Sequence, residues 1–347
     1  MDPRHHRGQT CSSLELGHHR ELYQRTLENQ PMSRIALLVG IDHYPHDPLT
    51  GCAADAKALE QLLATNHDGS PNVLCKTLIS GTGNAITRAS LRDQISLLFS
   101  KSDAELALFF FAGHGFRHPE YGGHIVTPDA TSGDEGVTMN QVIEAANKSS
   151  ARERVIILDC CHSGAAGDFL PGRALLNEGV AILAGCRSEQ TTVESGGRGL
   201  LSRHLCDALD GGAADVTGQV TLGGLYAYVD EVLTAWDQRP LLKANIARLT
   251  SLRRAEPAVA LETLRRLPDY FPLPEVDLLL DPSFEPTAEP GNEKNEAIFG
   301  HLQRFRAARL VVPVGTEHLY YAAMESRACR LTPLGRFYWH RVERRQL

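Results

Sequence analysis

No apolar run in these 347 residues approaches the ~18 residues that a membrane-spanning helix needs. The first residues carry no apolar stretch of the secretory-leader type. There is no basic excess either. The formal net charge is −7, which argues against a general nucleic-acid binder with its basic face. A Gly-x-Gly-x-x-Gly turn after the first strand and a Walker phosphate loop are both missing, so a nucleotide-binding α/β module ranks low. These absences lead to the expectation of a cytoplasmic protein with no membrane partner and no nucleic-acid partner. Its eight cysteines then read as thiols rather than as a disulfide framework.

The chain is 42% hydrophobic and 22% charged, enough for a sizeable core, and its length predicts about two domains. Residues 1–32, polar and rich in His and Arg, read as a flexible extension. From Arg34 the pattern is βα. Apolar runs at Ile35–Gly40, Val73–Leu78, Leu106–Ala112, Val155–Asp159 and Gly179–Ala184 have the length of buried strands. Helical spacing fills Ala53–Ala64, Thr87–Phe99, Met139–Asn147 and Leu200–Leu209. Strands alternating with helices predict an α/β fold, a mostly parallel sheet with helices on both faces. Functional groups in such sheets gather at the carboxyl ends of the strands.

The composition changes after about residue 250. Residues 251–294 read as a Pro-rich, acidic connector with little regular structure. Within 295–347 the pattern predicts a helix over Asn295–Arg309, a β-hairpin of Leu310–Gly315 with His318–Ala323, and a last helix from Leu331 through Val342. That order outlines a small winged-helix-like α+β module, with protein contact or intramolecular packing favoured over DNA.

Two cassettes carry the chemistry. One strand run ends in Ala112-Gly113-His114-Gly115, the other in Asp159-Cys160-Cys161-His162-Ser163-Gly164. The spacing between them leaves room for a crossover helix. A His and a Cys at neighbouring strand ends can form a thiolate and its proton partner, because an imidazolium lowers a thiol pKa from its free value near ~8.5. Most lone cysteines are buried small hydrophobes, and Cys160 is assigned that packing role; His162 is assigned a structural one. A zinc site built from adjacent strand residues is awkward, since they point to opposite faces.

These cassettes resemble those of the caspase-like cysteine peptidases, above all the metacaspases and prokaryotic caspases. Further matches are Ala36-Leu37-Leu38-Val39-Gly40-Ile41-Asp42-His43-Tyr44, Leu49-Thr50-Gly51-Cys52-Ala53-Ala54-Asp55-Ala56, and Gly199-Leu200-Leu201-Ser202 with Gln219 to Tyr226. The resemblance implies a caspase-like domain over 33–250, with Cys161 as nucleophile and His114 as its partner. Backbone N–H groups of Gly115 and Cys161 then suit an oxyanion hole. It also implies cleavage after Arg or Lys, with Asp55 and Asp159 binding the basic side chain by charge-assisted hydrogen bonds. Each carboxylate also suits a simpler role, Asp55 at a helix N-terminus and Asp159 in ordering the following turn.

The chemistry needs no cofactor. Calcium is an activator in several relatives, which makes Asp129, Asp134, Glu135 and Asp168 candidate oxygen ligands; Asp215 to Val220 lacks the Asp ladder of an EF-hand loop. Self-cleavage candidates are Arg198 first, in a glycine cluster, then Arg173, Arg187 and Arg203. The implied partners are protein substrates with basic residues and an upstream activator protein or protease, in bacterial defence or cell death. The competing reading is a non-catalytic caspase-fold adaptor.

Overall fold

The computed structural model describes residues 33–81, 85–100, 104–118, 122–161, 175–185, 198–233 and 240–347. The extension expected over 1–32 lies outside them. In chain order the elements are β1 (Ser33–Gly40), α1 (Cys52–Ala64), β2 (Leu74–Ile79), α2 (Arg88–Phe99), β3 (Ala104–His118), β4 (Gly122–Thr131), β5 (Asp134–Thr138), α3 (Met139–Lys148), β6 (Glu153–Cys161), β7 (Val180–Ala184) and α4 (Leu200–Asp207). They continue as β8 (Gln219–Thr221), α5 (Leu222–Val232), β9 (Leu241–Asn245), β10 (Ser251–Arg254), α6 (Leu261–Leu264), α7 (Leu267–Tyr270), β11 (Leu278–Leu279), α8 (Glu293–Ala307), β12 (Val311–Val314), α9 (Leu319–Met324), β13 (Ala328–Leu331) and α10 (Pro333–Glu343).

Two compact units form. The first, residues 33–64, 71–203 and 233–250, holds a sheet in the order β2-β1-β3-β6-β7-β9. The first five of these strands are parallel and β9 is antiparallel. A sheet covered on both faces needs strands that are apolar throughout. Phe109, Phe110 and Phe111, consecutive on β3, are all fully buried. Alternation sends Ala107, Phe109 and Phe111 to a core shared with Leu91 and Ile95 of α2 and Val142 and Ile143 of α3. Both helices begin in reciprocal caps, Thr87 with Ser90 and Thr138 with Gln141, which satisfy N–H groups that a helix start leaves unpaired. The second face carries α1, packed so closely that a Cβ on Gly40 would fall 2.2 Å from the Cys52 carbonyl oxygen.

The Gly/Pro/Asp-rich stretch after His114 forms an antiparallel pair, β4 with β5, with β4 also paired to the end of β3. Its buried apolar side chains, Ile125 and Val137, are too widely spaced to make a periodic signal.

The second unit comprises residues 65–70, 204–232 and 251–347. Residues 251–294 are not the structureless connector expected from their prolines. Leu264, Leu267, Tyr270, Phe271, Leu280 and Phe284 enter the same core as Phe299, Leu302, Phe305 and Trp339, and the Trp339 indole N–H donates to the Phe271 carbonyl at 2.6 Å. The helices at 293–307 and 333–343 stand where the spacing placed them, but the hairpin does not. His318 is a helix cap and Leu319–Met324 is α9, with Leu319, Ala322 and Ala323 on its buried side at i, i+3, i+4 spacing. The partner of β12 is β13, with β11 on the far edge of β13. Among the described residues, no helix is long and apolar enough to cross a membrane.

Candidate active site

Strand register assembles the first half of the site. Along β3 and β6 the partners run Ala112↔Asp159, Gly113↔Cys160 and His114↔Cys161, in parallel. Neighbouring strands lie about 4.8 Å apart, so the backbones of His114 and Cys161 are immediate neighbours at the carboxyl edge. Cys160, opposite Gly113, is buried among sheet-core side chains. Gly115 follows His114 on β3 and pairs with Ile125 of β4.

His114 is held at several atoms. Its Nε2 lies 2.6 Å from the Asp47 carbonyl oxygen and 3.7 Å from the Asp47 carboxylate. A carbonyl only accepts, so Nε2 carries the proton in this bond and Nδ1 is left to exchange one. The His114 backbone N–H donates to the Tyr44 hydroxyl at 3.0 Å, and that hydroxyl donates to the Val126 carbonyl at 3.4 Å. The rings of Tyr44 and His114 sit 4.6 Å apart between centroids. A Cβ on Gly113 would stand 2.6 Å from the Tyr44 hydroxyl oxygen, so glycine before His114 is what lets this bond form. Sequence reasoning did not find Asp47 as the residue orienting His114, because its contribution is a backbone carbonyl. Tyr44 stands inside a quoted motif, but only the fold shows what it touches.

The second half of the site is the carboxylate pair. Asp42 accepts from the Cys52 and Ala53 N–H groups at 2.7 and 3.2 Å and so fixes the start of α1. That start places Asp55 in the first turn of α1, where it is 1% exposed. Asp159, 3% exposed, is the third-last residue of β6. The structure brings Asp55 and Asp159 close enough for their charges to interact. Both are engaged by the segment that begins α4. Asp55 Oδ1 accepts from Arg198 Nε at 3.0 Å and Oδ2 from the Gly199 N–H at 2.8 Å. Asp159 Oδ2 accepts from the Ser202 N–H at 3.1 Å and its hydroxyl at 2.5 Å. Burial pushes the Asp55 carboxyl up to about 6, and the charge of Asp159 adds to the rise. The bonds from Gly199 and Arg198 pull it back down. The same crowding and burial raise the Cys52 thiol far above its ordinary value, which marks Cys52 as an inert thiol.

Three of the calcium candidates lie among the described residues and make other bonds there. Asp129 accepts from the Arg88 N–H at 2.9 Å and the Thr127 hydroxyl at 2.6 Å. Asp134 pairs with the Arg88 guanidinium, and Glu135 accepts from the Gly133 N–H at 3.0 Å. Among the described residues no group of three or more His, Cys, Asp or Glu side chains is placed to hold a metal. Asp168, Arg173, Arg187 and His162 lie outside the described residues.

The caspase domain, Peptidase C14, matches residues 33–250. The chain belongs to the caspase family. This family is one of cysteine peptidases, and the matched span of this caspase-family chain contains both strand ends and both buried carboxylates. No curated protein sequence gives a significant match. Among solved structures, the crystal structure of protein GSU0716 from Geobacter sulfurreducens is similar at 15% identity and a TM-score of 0.47, over 65% of this chain and 100% of that one.

Proposed function

We propose that this caspase-family chain is an endopeptidase that cuts proteins after Arg or Lys, with Cys161 as nucleophile and His114 as its proton partner. The register pairing of His114 with Cys161 at the carboxyl edge of a parallel sheet carries the reading. In it, the thiolate of Cys161 attacks the scissile carbonyl carbon, and the negative charge that develops on oxygen is met by the N–H groups of Gly115 and Cys161. The protonated Nδ1 of His114 gives its proton to the departing amine, and the C–N bond breaks. Water then attacks the thioester, His114 takes its proton, and Cys161 leaves as the thiolate, which restores the starting pair. The Asp47 carbonyl keeps the ring from turning by holding Nε2–H throughout. The two buried carboxylates, Asp55 and Asp159, supply the negative charge that a basic P1 side chain needs on desolvation.

The test is hydrolysis of fluorogenic peptides with Arg or Asp at P1 by the full chain, Cys161→Ala and His114→Ala. The proposal expects hydrolysis of the Arg-P1 peptide by the full chain and its loss in both variants. Preferential cleavage of the Asp-P1 peptide overturns the specificity. Activity that survives Cys161→Ala overturns the mechanism and favours a different nucleophile. A folded chain with no hydrolysis of either peptide, even beside candidate activators, favours the adaptor reading.

A further inference from the structure

Asp55 already holds a guanidinium. Arg198 Nε lies 3.0 Å from Asp55 Oδ1, and the two side chains differ sharply in exposure, 31% for Arg198 against 2% for Asp55. The arginine therefore reaches a buried acid from a solvent-accessible position, and withdrawing it costs little desolvation. The carboxylate cannot withdraw, because the Gly199 N–H also binds it at 2.8 Å and its backbone lies in the first turn of α1.

This pose is not that of a residue awaiting cleavage. A P1 arginine bound through its guanidinium keeps its own peptide group five bonds away, out over the nucleophile. Here the N–H of the Arg198–Gly199 peptide rests on the same carboxylate as the guanidinium. Arg198 thus lines the acid site instead of presenting a scissile bond. Asp159 also accepts from the Ser202 N–H and hydroxyl, three residues after Gly199.

We propose that Arg198 is a specificity-determining gate, a built-in competitor that a basic P1 side chain must displace from Asp55. The inference rests on the reading of Asp55 and Asp159 as the P1 acids. While Arg198 is in place, Asp55 is paired with a cation, so weakly bound basic peptides are rejected. A substrate with further contacts provides the binding energy to move it. Lys in place of Arg keeps the charge but loses the planar fork, so it gates less well.

The experiment measures KM and kcat on a fluorogenic Arg-P1 peptide, and the inhibition constant of benzamidine, for the full chain, Arg198→Gln and Arg198→Lys. Gln keeps a donor for Asp55 without the charge. The proposal expects KM and the benzamidine constant to fall together by about tenfold in Arg198→Gln, with an intermediate fall in Arg198→Lys and kcat within about twofold throughout. Unchanged KM and benzamidine constants overturn the gate and leave the P1 assignment standing. Cleavage of an Asp-P1 peptide in preference to Arg-P1 by all three proteins overturns the P1 assignment itself. Intact mass gives a further check, since a cut between Arg198 and Gly199 in the active full chain overturns the gate in favour of a processing site. If Arg198→Gln melts far below the full chain, Arg198→Lys alone decides, and KM equal to that of the full chain in a stably folded Lys protein overturns the gate.

Discussion

The backbones of His114 and Cys161 are brought together by strand register, whereas the carboxylates of Asp55 and Asp159, on α1 and β6, are held by bonds from one short segment, Arg198 to Ser202. The strand-end pair rests on a sheet whose side chains are buried on both faces, and a register slip there would exchange Phe109 and Phe111 with Phe110 between the two faces. The carboxylate pair is secured by hydrogen bonds, each worth about 1.5–3 kcal/mol where a charged group takes part. The difference is one of rigidity. In the proposed reading, reaction geometry is tied to the core of the fold, and charge selection to contacts that a substrate is able to exchange.

The largest effects should separate the two halves. Cys161→Ala is expected to lower kcat/KM on the order of 10⁴ or more, and His114→Ala by about 10² to 10⁴, with melting temperatures close to that of the parent chain. A melting temperature lowered as far as that of a core variant would show that the strand end is structural. Next in size, Asp159→Asn is expected to cost about 10-fold to 100-fold in kcat/KM for Arg-P1 peptides, the scale of one hydrogen bond to a charged group, through KM rather than kcat. Equal loss in kcat would erase the division of labour between the pairs.

A smaller effect sharpens the strand-end side. Tyr44→Phe removes the acceptor of the His114 N–H and leaves that donor unpaired, which costs about 1–3 kcal/mol. The expected outcome is lower thermal stability together with a lower kcat, with KM unchanged. A shift in KM alone would break the assignment of Tyr44 to His114.

The smallest effect is a pH dependence on the carboxylate side. Asp55 is raised from 3.8 to about 6 in the folded chain, so between these values the folded state keeps a proton that the unfolded state has released. Its contribution to stability is full below the unfolded value and is lost as pH rises through about 6. Selection for a basic P1 runs the other way, because the charge of Asp55 appears only above about 6. KM for an Arg-P1 peptide should therefore fall as pH rises from about 5 to 7, and Asp55→Asn should flatten that slope. A slope that persists in the Asn chain would place the titration elsewhere.

Much of the caspase domain was legible because its signals are local. The apolar runs ending in His114 and Cys161 are buried strands, and Gly40, Asp42 and Gly51 are explained by the close approach and capping of α1. The β4–β5 pair was hidden by its glycines and acids, and α9 by aromatic residues that read as alternation. The role of Asp47 is a carbonyl, which no side-chain pattern announces. The engagement of Asp55 by Arg198 joins residues 143 positions apart, a contact that only the folded chain creates.

The most direct measurement is to map the cysteine alkylated by a peptidyl chloromethyl ketone with Arg at P1, by mass spectrometry of the digested protein. The account predicts one adduct, on Cys161, absent in His114→Ala and formed faster in Arg198→Gln. An adduct on Cys160 or Cys52, or equal labelling by an Asp-P1 reagent, would contradict it.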